Sequence, residues 1–311
     1  MKYIDKKINE IISINPWTNV YGASRSLLAL ASLLTLLFND ASTIFRPILG
    51  IDEYPICTGT IGGFSLFCLF SNHLGVAMWI AILILFLVVI GIYPRFTGIL
   101  HWWINFSLIS SSPLVDGGEH VAAVISLLLV PITLMDDRKW HWTEVRITQD
   151  DKLSKKAKRL VAISAYQVIR IQVAVIYLHA AVAKCSVPEW ANGTALFYWF
   201  NDEMFGLSYL VKPIISPLIN NGYTLTLFTW SIVILEFFLF AGLFMKPKYR
   251  RTLLFFGIVF HAGIALVHGL ISFALIMIGA LVIFLQPIDQ NIVRVRKKAV
   301  NSRFKPAIAE G

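Results

Sequence analysis

A chain of 311 residues that is 57% hydrophobic and only 14% charged, with a mean hydropathy of +0.70, is too apolar for a water-soluble domain. The 27 lysines and arginines exceed the 18 acidic residues for a formal charge of +9; in a membrane chain such an excess sets orientation and does not call for nucleic acid. The three cysteines form no zinc pattern and no C-x-x-C pair, so no metal is expected.

The first 21 residues are polar and basic and lack the apolar centre of a cleavable signal. A first span is expected from about Gly22 to Phe38, with Arg25 as a snorkelling anchor. Between Asn39 and Asn72 the chain is broken by Pro, Gly, Asp and Glu, and the apolar stretch from Phe64 to Phe70 is too short to cross a bilayer. Cys57 and Cys68 fall here, close enough to allow a disulfide without requiring one. Leu74 to Tyr93 is a plain second span closed by Pro94. Phe96 to Ser111 is a third, made partly polar by His101 and Asn105. The fourth opens at Asp116 and runs to about Met135. Asp116 and Glu119 suit the positive end of a helix, whereas His120 is not explained by capping.

Residues 136–159 carry enough charge to be an aqueous loop. The fifth span, Leu160 to Lys184, is too polar for a plain anchor: it carries Arg170, Gln172, Tyr177, His179 and Lys184. An ionisable group in hydrocarbon costs a few kcal/mol or more unless it faces a polar interior, so a polar cavity is expected. Pro188 ends this helix, and Cys185 is expected to be a buried, inert thiol. Residues 190–219 should form an amphipathic surface helix followed by a loop containing Pro213 and Pro217. Tyr223 to Met245 is a sixth span interrupted by Glu236, and 252–286 is apolar apart from His261 and His268.

Placing every basic segment on one side of the membrane requires two spans in that last stretch, divided at His268-Gly269. The expected fold is therefore an all-α, polytopic transmembrane helix bundle of about eight spans with an amphipathic surface helix. Residues 1–21 form a cytoplasmic segment, 22–287 the helical domain and 288–311 a basic cytoplasmic tail. In this topology His120, Lys184 and His268 share the outer half of the bundle, with His179 just inward of Lys184. Counting 1.5 Å per residue puts Arg170 and Glu236 both roughly 13 to 15 Å from the inner face, so the two are expected to pair.

Glu119-His120 opening a span, Met135-Asp136-Asp137 closing it, Lys184 followed by Trp190, Phe260-His261 and His268-Gly269-Leu270 together resemble the horizontally transferred transmembrane domain. This is the membrane domain of vitamin K-dependent gamma-glutamyl carboxylases and many bacterial relatives. The opening Asn15-Pro-Trp-Thr-Asn-Val-Tyr-Gly22 and the run Arg25 to Leu30 resemble the subgroup of sporulation-delaying protein B.

The resemblance implies a multi-pass protein of the bacterial plasma membrane. It would be needed to mature or secrete an antimicrobial peptide toxin, with the toxin precursor and a small non-membrane protein as partners besides the bilayer. It also implies Lys184 as a base toward a reduced quinone, with His120 near it, and makes Lys184, His120 and His261 the candidate catalytic residues. Arg170, His179, Glu119, Glu236, His268 and Trp190 are the candidate polar or structural surroundings. Two other functions are compatible with the residues: a quinone-dependent carboxylase or oxidase acting on a small substrate, and a transporter or immunity protein whose intramembrane charges form a pathway.

Overall fold

A computed structural model describes residues 10–46, 54–113, 116–145, 152–203, 205–209 and 211–289. The tail from residue 290 onward, the first nine residues and residues 146–151 of the basic loop lie outside the described residues. Among the described residues the regular structure is helical, with one isolated bridge between Ile92 and Trp140 and no strand.

Eight long helices fall at the eight expected positions: α1 (Asn19–Phe38), α2 (Leu74–Ile90), α3 (Pro94–Ser111), α4 (Gly117–Leu134), α5 (Leu153–Cys185), α6 (Gly222–Ala241), α7 (Pro247–His268) and α8 (Ile271–Leu285). Six of them are long and apolar enough to cross a membrane. The other two are α3, diluted by its polar residues, and α8, which is short. The protein is thus an all-α, polytopic membrane bundle.

Helix α8 is apolar on every side and is buried for most of its length, as a helix at the centre of a bundle must be. It packs against α1, α4, α5 and α7. Ser24 on α1 donates to the Gly279 carbonyl at 2.8 Å, and a methyl at Gly279 would lie 3.2 Å from the Ser24 carbonyl oxygen. The division between α7 and α8 falls at Gly269, whose φ of +73° and N–H bond to the Ala265 carbonyl make a left-handed helix stop that a side chain would strain.

Three expectations are corrected. Helix α5 begins at Leu153, so Lys155, Lys156, Lys158 and Arg159 are helical and do not lie in a loop. At 1.5 Å per residue its 33 residues reach about 50 Å, well beyond an apolar layer of about 30 Å, so its charged first turns project past the membrane. Residues 188–219 form three short helices, Pro188–Ala191, Ala195–Phe200 and Lys212–Ile219, instead of one surface helix. Pro213 and Pro217 lie inside the last of these: Pro213 sits in the first turn, where no N–H is needed.

Arg25 is the third correction. It is completely buried and does not snorkel. The segment after α4 folds back over the ends of α1, α2 and α3: the Tyr93 N–H bonds the Lys139 carbonyl at 2.8 Å, and the His141 N–H bonds the Gly91 carbonyl at 2.9 Å. This closes a lid of protein over Arg25. Gly91 is indispensable to the closure, because its φ is +90° and a methyl there would sit 2.2 Å from the His141 ring. At the opposite end of the bundle, Cys57 and Cys68 are joined by a disulfide between the short segments leading into α2.

Candidate functional site

Two polar residues of α5 share one face. Tyr177, Ala180 and Lys184, at i, i+3 and i+7, line a cavity of about 420 Å³ near the C-terminal end of that helix. Helix α6 adds Ile232 and Glu236, α7 adds Phe260, His261, Ile264 and His268, and α8 adds Phe273 and Met277. Trp190, Leu196, Trp199 and Phe205, from the short helices and the turns between them, cover it. The walls are therefore aromatic and aliphatic with a few polar groups, the composition of a site for a small or amphipathic molecule.

The charged centre is an ion pair. Lys184 Nζ donates to both carboxylate oxygens of Glu236, at 2.8 and 2.9 Å. The Glu236 side chain is 6% exposed and that of Lys184 is 23% exposed. The ammonium lies 5.2 Å from the centre of the Trp190 ring, a cation–π contact that holds it from the other side. One wall carries a second polar pair, Tyr177 Oη and His261 Nε2 at 2.9 Å. His261 is buried, and its Nδ1 has no protein partner. His268 bonds the Phe205 carbonyl and packs against the Phe200 ring at 5.6 Å, tying the covering segment to the end of α7. An adjoining apolar cavity of about 560 Å³ shares Leu196, Ile232, Phe260, Ile264 and His268 with the first.

The structure rearranges the expected partners. Arg170 does not meet Glu236. It donates to the carbonyls of Phe284 and Leu243, both at 3.3 Å, and to the Gln167 side chain at 3.0 Å. Those carbonyls lie at the ends of α8 and α6, where the negative ends of two helix dipoles favour a cation. Counting residues measured depth along each helix separately. Arg170 to Lys184 is about 21 Å of α5, while Leu243 to Glu236 is about 10 Å of chain, and the crossing of the helices and the reach of the lysine make up the difference.

His120 is exposed, because α4 presents Gly117 and Val121 to the cavity and leaves His120 on its flank. His179 is exposed on the far side of α5 from Tyr177 and Lys184. Glu119 is buried in a capping box with Asp116, and Thr35 approaches it at 3.5 Å. Cys185, expected to be buried, is exposed. Tyr177, marked in the sequence as one of the polar residues of the fifth span, belongs to the cavity, seven residues before Lys184. Phe273 belongs to it as well and carried no signal in the sequence.

The family model for the HTTM domain matches residues 64–288, which include α2 to α8 and every cavity residue. This chain belongs to the HTTM domain family. Within it, the chain is 43% identical over 296 residues to the uncharacterized protein YitO of Bacillus subtilis (strain 168), covering 94% of this chain and 93% of YitO. It is 38% identical over 295 residues to the sporulation-delaying protein SdpB of the same organism, covering 94% of this chain and 88% of SdpB. No solved structure is significantly similar. The two relatives extend over α1 as well, so the likeness takes in both the cavity and the buried Arg25.

Proposed function

We propose that this HTTM-domain protein serves a sporulation-delaying type of peptide-toxin system in the bacterial plasma membrane, and that the Lys184–Glu236 cavity is where it acts on the toxin precursor. The single observation carrying this reading is the ion pair itself: a lysine and a carboxylate bonded at 2.8 Å in the wall of an otherwise apolar cavity. Groups of this kind are retained inside a membrane protein where they serve a pathway or a reaction.

Passing one proton from Lys184 Nζ to Glu236 along that bond leaves a neutral amine and a neutral acid. The amine is then free to accept a proton from a bound molecule, and the acid holds the proton it received. Trp190 and the covering residues keep bulk water from competing. The aromatic walls and the buried, unpartnered His261 Nδ1 fit the ring and polar edge of a reduced quinone, a group that would supply reducing equivalents when bound. Lys184 and His261 are the residues that would hold it. A small non-membrane partner protein completes the system in this reading.

Orientation follows the basic residues, with the Lys158 end of α5 cytoplasmic together with both termini, so that the cavity faces outward. In a Cys185→Ser background, an impermeant thiol reagent applied to intact cells should label Asn220→Cys and miss Ser154→Cys, both of which replace exposed residues. The reverse pattern would overturn the orientation.

The chemistry is tested by mass spectrometry of the secreted peptide from cells carrying Lys184→Arg. Arginine keeps the ion pair but cannot release a proton, so mature peptide should be lost while folded protein remains in the membrane. Full maturation with Lys184→Arg would exclude the base role and leave the pair as a structural strut.

A further inference from the structure

The buried end of α1 holds a second charged centre that the proposed function does not use. Arg25 is fully enclosed, with its Nη1 3.2 Å from His141 Nδ1 and its Nη2 donating to Thr97 Oγ1 at 2.6 Å. A guanidinium has only donors, so His141 must accept at Nδ1 and carry its proton on Nε2, which faces Ser26 Oγ at 3.4 Å. His141 is therefore neutral. The carboxylate of the cluster, Asp136, is held by two 2.8 Å bonds from Arg138. The next acid along the chain, Asp137, is exposed and occupied by Arg95 and Lys158.

Two guanidinium groups and one carboxylate leave a net single positive charge, and it is buried. An enclosed cation whose nearest carboxylate, Asp136, is already bonded to a second guanidinium is a costly arrangement. Three polar atoms around it are also enclosed and without protein partners: Arg25 Nε, Tyr21 Oη and His101 Nε2. Tyr21 lies one turn before Arg25 on α1 and His101 one turn after Thr97 on α3, and both rings lie within electrostatic reach of the Arg25 guanidinium. The first is an N–H, the second an O–H, and the third is a donor in one tautomer.

We propose that this centre binds a small inorganic anion, of which chloride is the representative, held at the Nε–H edge of Arg25 with Tyr21 and His101 as the further donors. The anion completes the charge balance of the end of the bundle over which the His141 segment closes. It acts as a structural ligand, separate from the chemistry assigned to Lys184.

The test uses the purified full-length protein in detergent and follows thermal unfolding by tryptophan fluorescence, with sodium gluconate exchanged for sodium chloride at constant ionic strength. Wild-type protein should gain about 5 °C in midpoint, with a saturable dependence on chloride. Tyr21→Phe, which keeps the guanidinium, should need about tenfold more chloride for half the effect, the loss expected for one hydrogen bond to a charged group. Arg25→Met should show no dependence. Equal midpoints in the two salts would overturn the proposal, leaving enclosed water as the partner of these donors. A rise that never saturates, or one that Tyr21→Phe and Arg25→Met both retain unchanged, would be a general salt effect and would overturn it equally.

Discussion

The two ends of this bundle bury charge in opposite ways. At the Lys184 end, a cation and an anion face each other across a cavity, between helices of which little is enclosed: 22% of α6 and of α7 is buried in their apolar stretches. At the Arg25 end, a cation is enclosed on α1, 61% buried by the same measure, beside a carboxylate that a second guanidinium already holds. A matched pair can stand beside open space because its partners satisfy each other. A cation that shares its carboxylate must be closed off from the surroundings, and the segment from Asp136 to Val145 does so. Loose packing where groups must move and tight packing where they must not is the expected division between a site and its scaffold.

Breaking the matched pair should have the largest effect. Glu236→Gln leaves a largely enclosed ammonium facing an amide, at a cost of about 3 kcal/mol, and should lower folded yield on fluorescence-detected size exclusion. Combining it with Lys184→Met should recover most of the loss, because the paired apolar replacement removes both desolvation penalties. A double variant no better than the single one would mean that the pair is not what Glu236 supports.

At the packed end, Gly91→Ala forces a side chain into a left-handed conformation and into the His141 ring. A loss of about 2 kcal/mol or more is expected as a lowered unfolding midpoint. Wild-type stability would show that the closure of the His141 segment is softer than its geometry indicates.

The same segment predicts a pH dependence. Burial, reinforced by the charges of Arg25 and Arg138, lowers the pKa of His141 from 6.5 to about 2. The folded value lies below the unfolded one, so the unfolded chain binds the proton more tightly. The stability from keeping His141 neutral is complete above pH 6.5 and declines as pH falls from there toward 2. His141→Gln should be less stable at neutral pH but should flatten the decline between pH 6.5 and 5 in a thermal melt series. An unchanged slope would remove His141 from the account.

The smallest effect separates the two charged residues once expected to meet. Because Arg170 serves helix ends and Glu236 serves Lys184, Arg170→Met and Glu236→Gln should lose stability additively, with a coupling below about 0.5 kcal/mol. A larger coupling would restore contact between them.

The sequence by itself determined the class of the molecule, the places of its eight long helices, and the division at Gly269. Each follows from local quantities: the length of apolar runs, the helix-stopping conformation that glycine permits, and the cost of polar backbone in lipid. It also marked Lys184, Glu236 and His261 as polar groups that a bilayer would not tolerate unaccompanied. Only the tertiary structure decided their company. Which residue faces Lys184 depends on how α5 and α6 cross. Whether His120 and His179 reach the cavity depends on the rotation of α4 and α5 about their axes, and these side chains turn outward while Tyr177 turns in. Arg25 shows the limit most plainly: near a helix end its composition suits an anchor in the headgroups, and only the fold-back of the segment after α4, reaching over from more than a hundred residues later in the chain, encloses it.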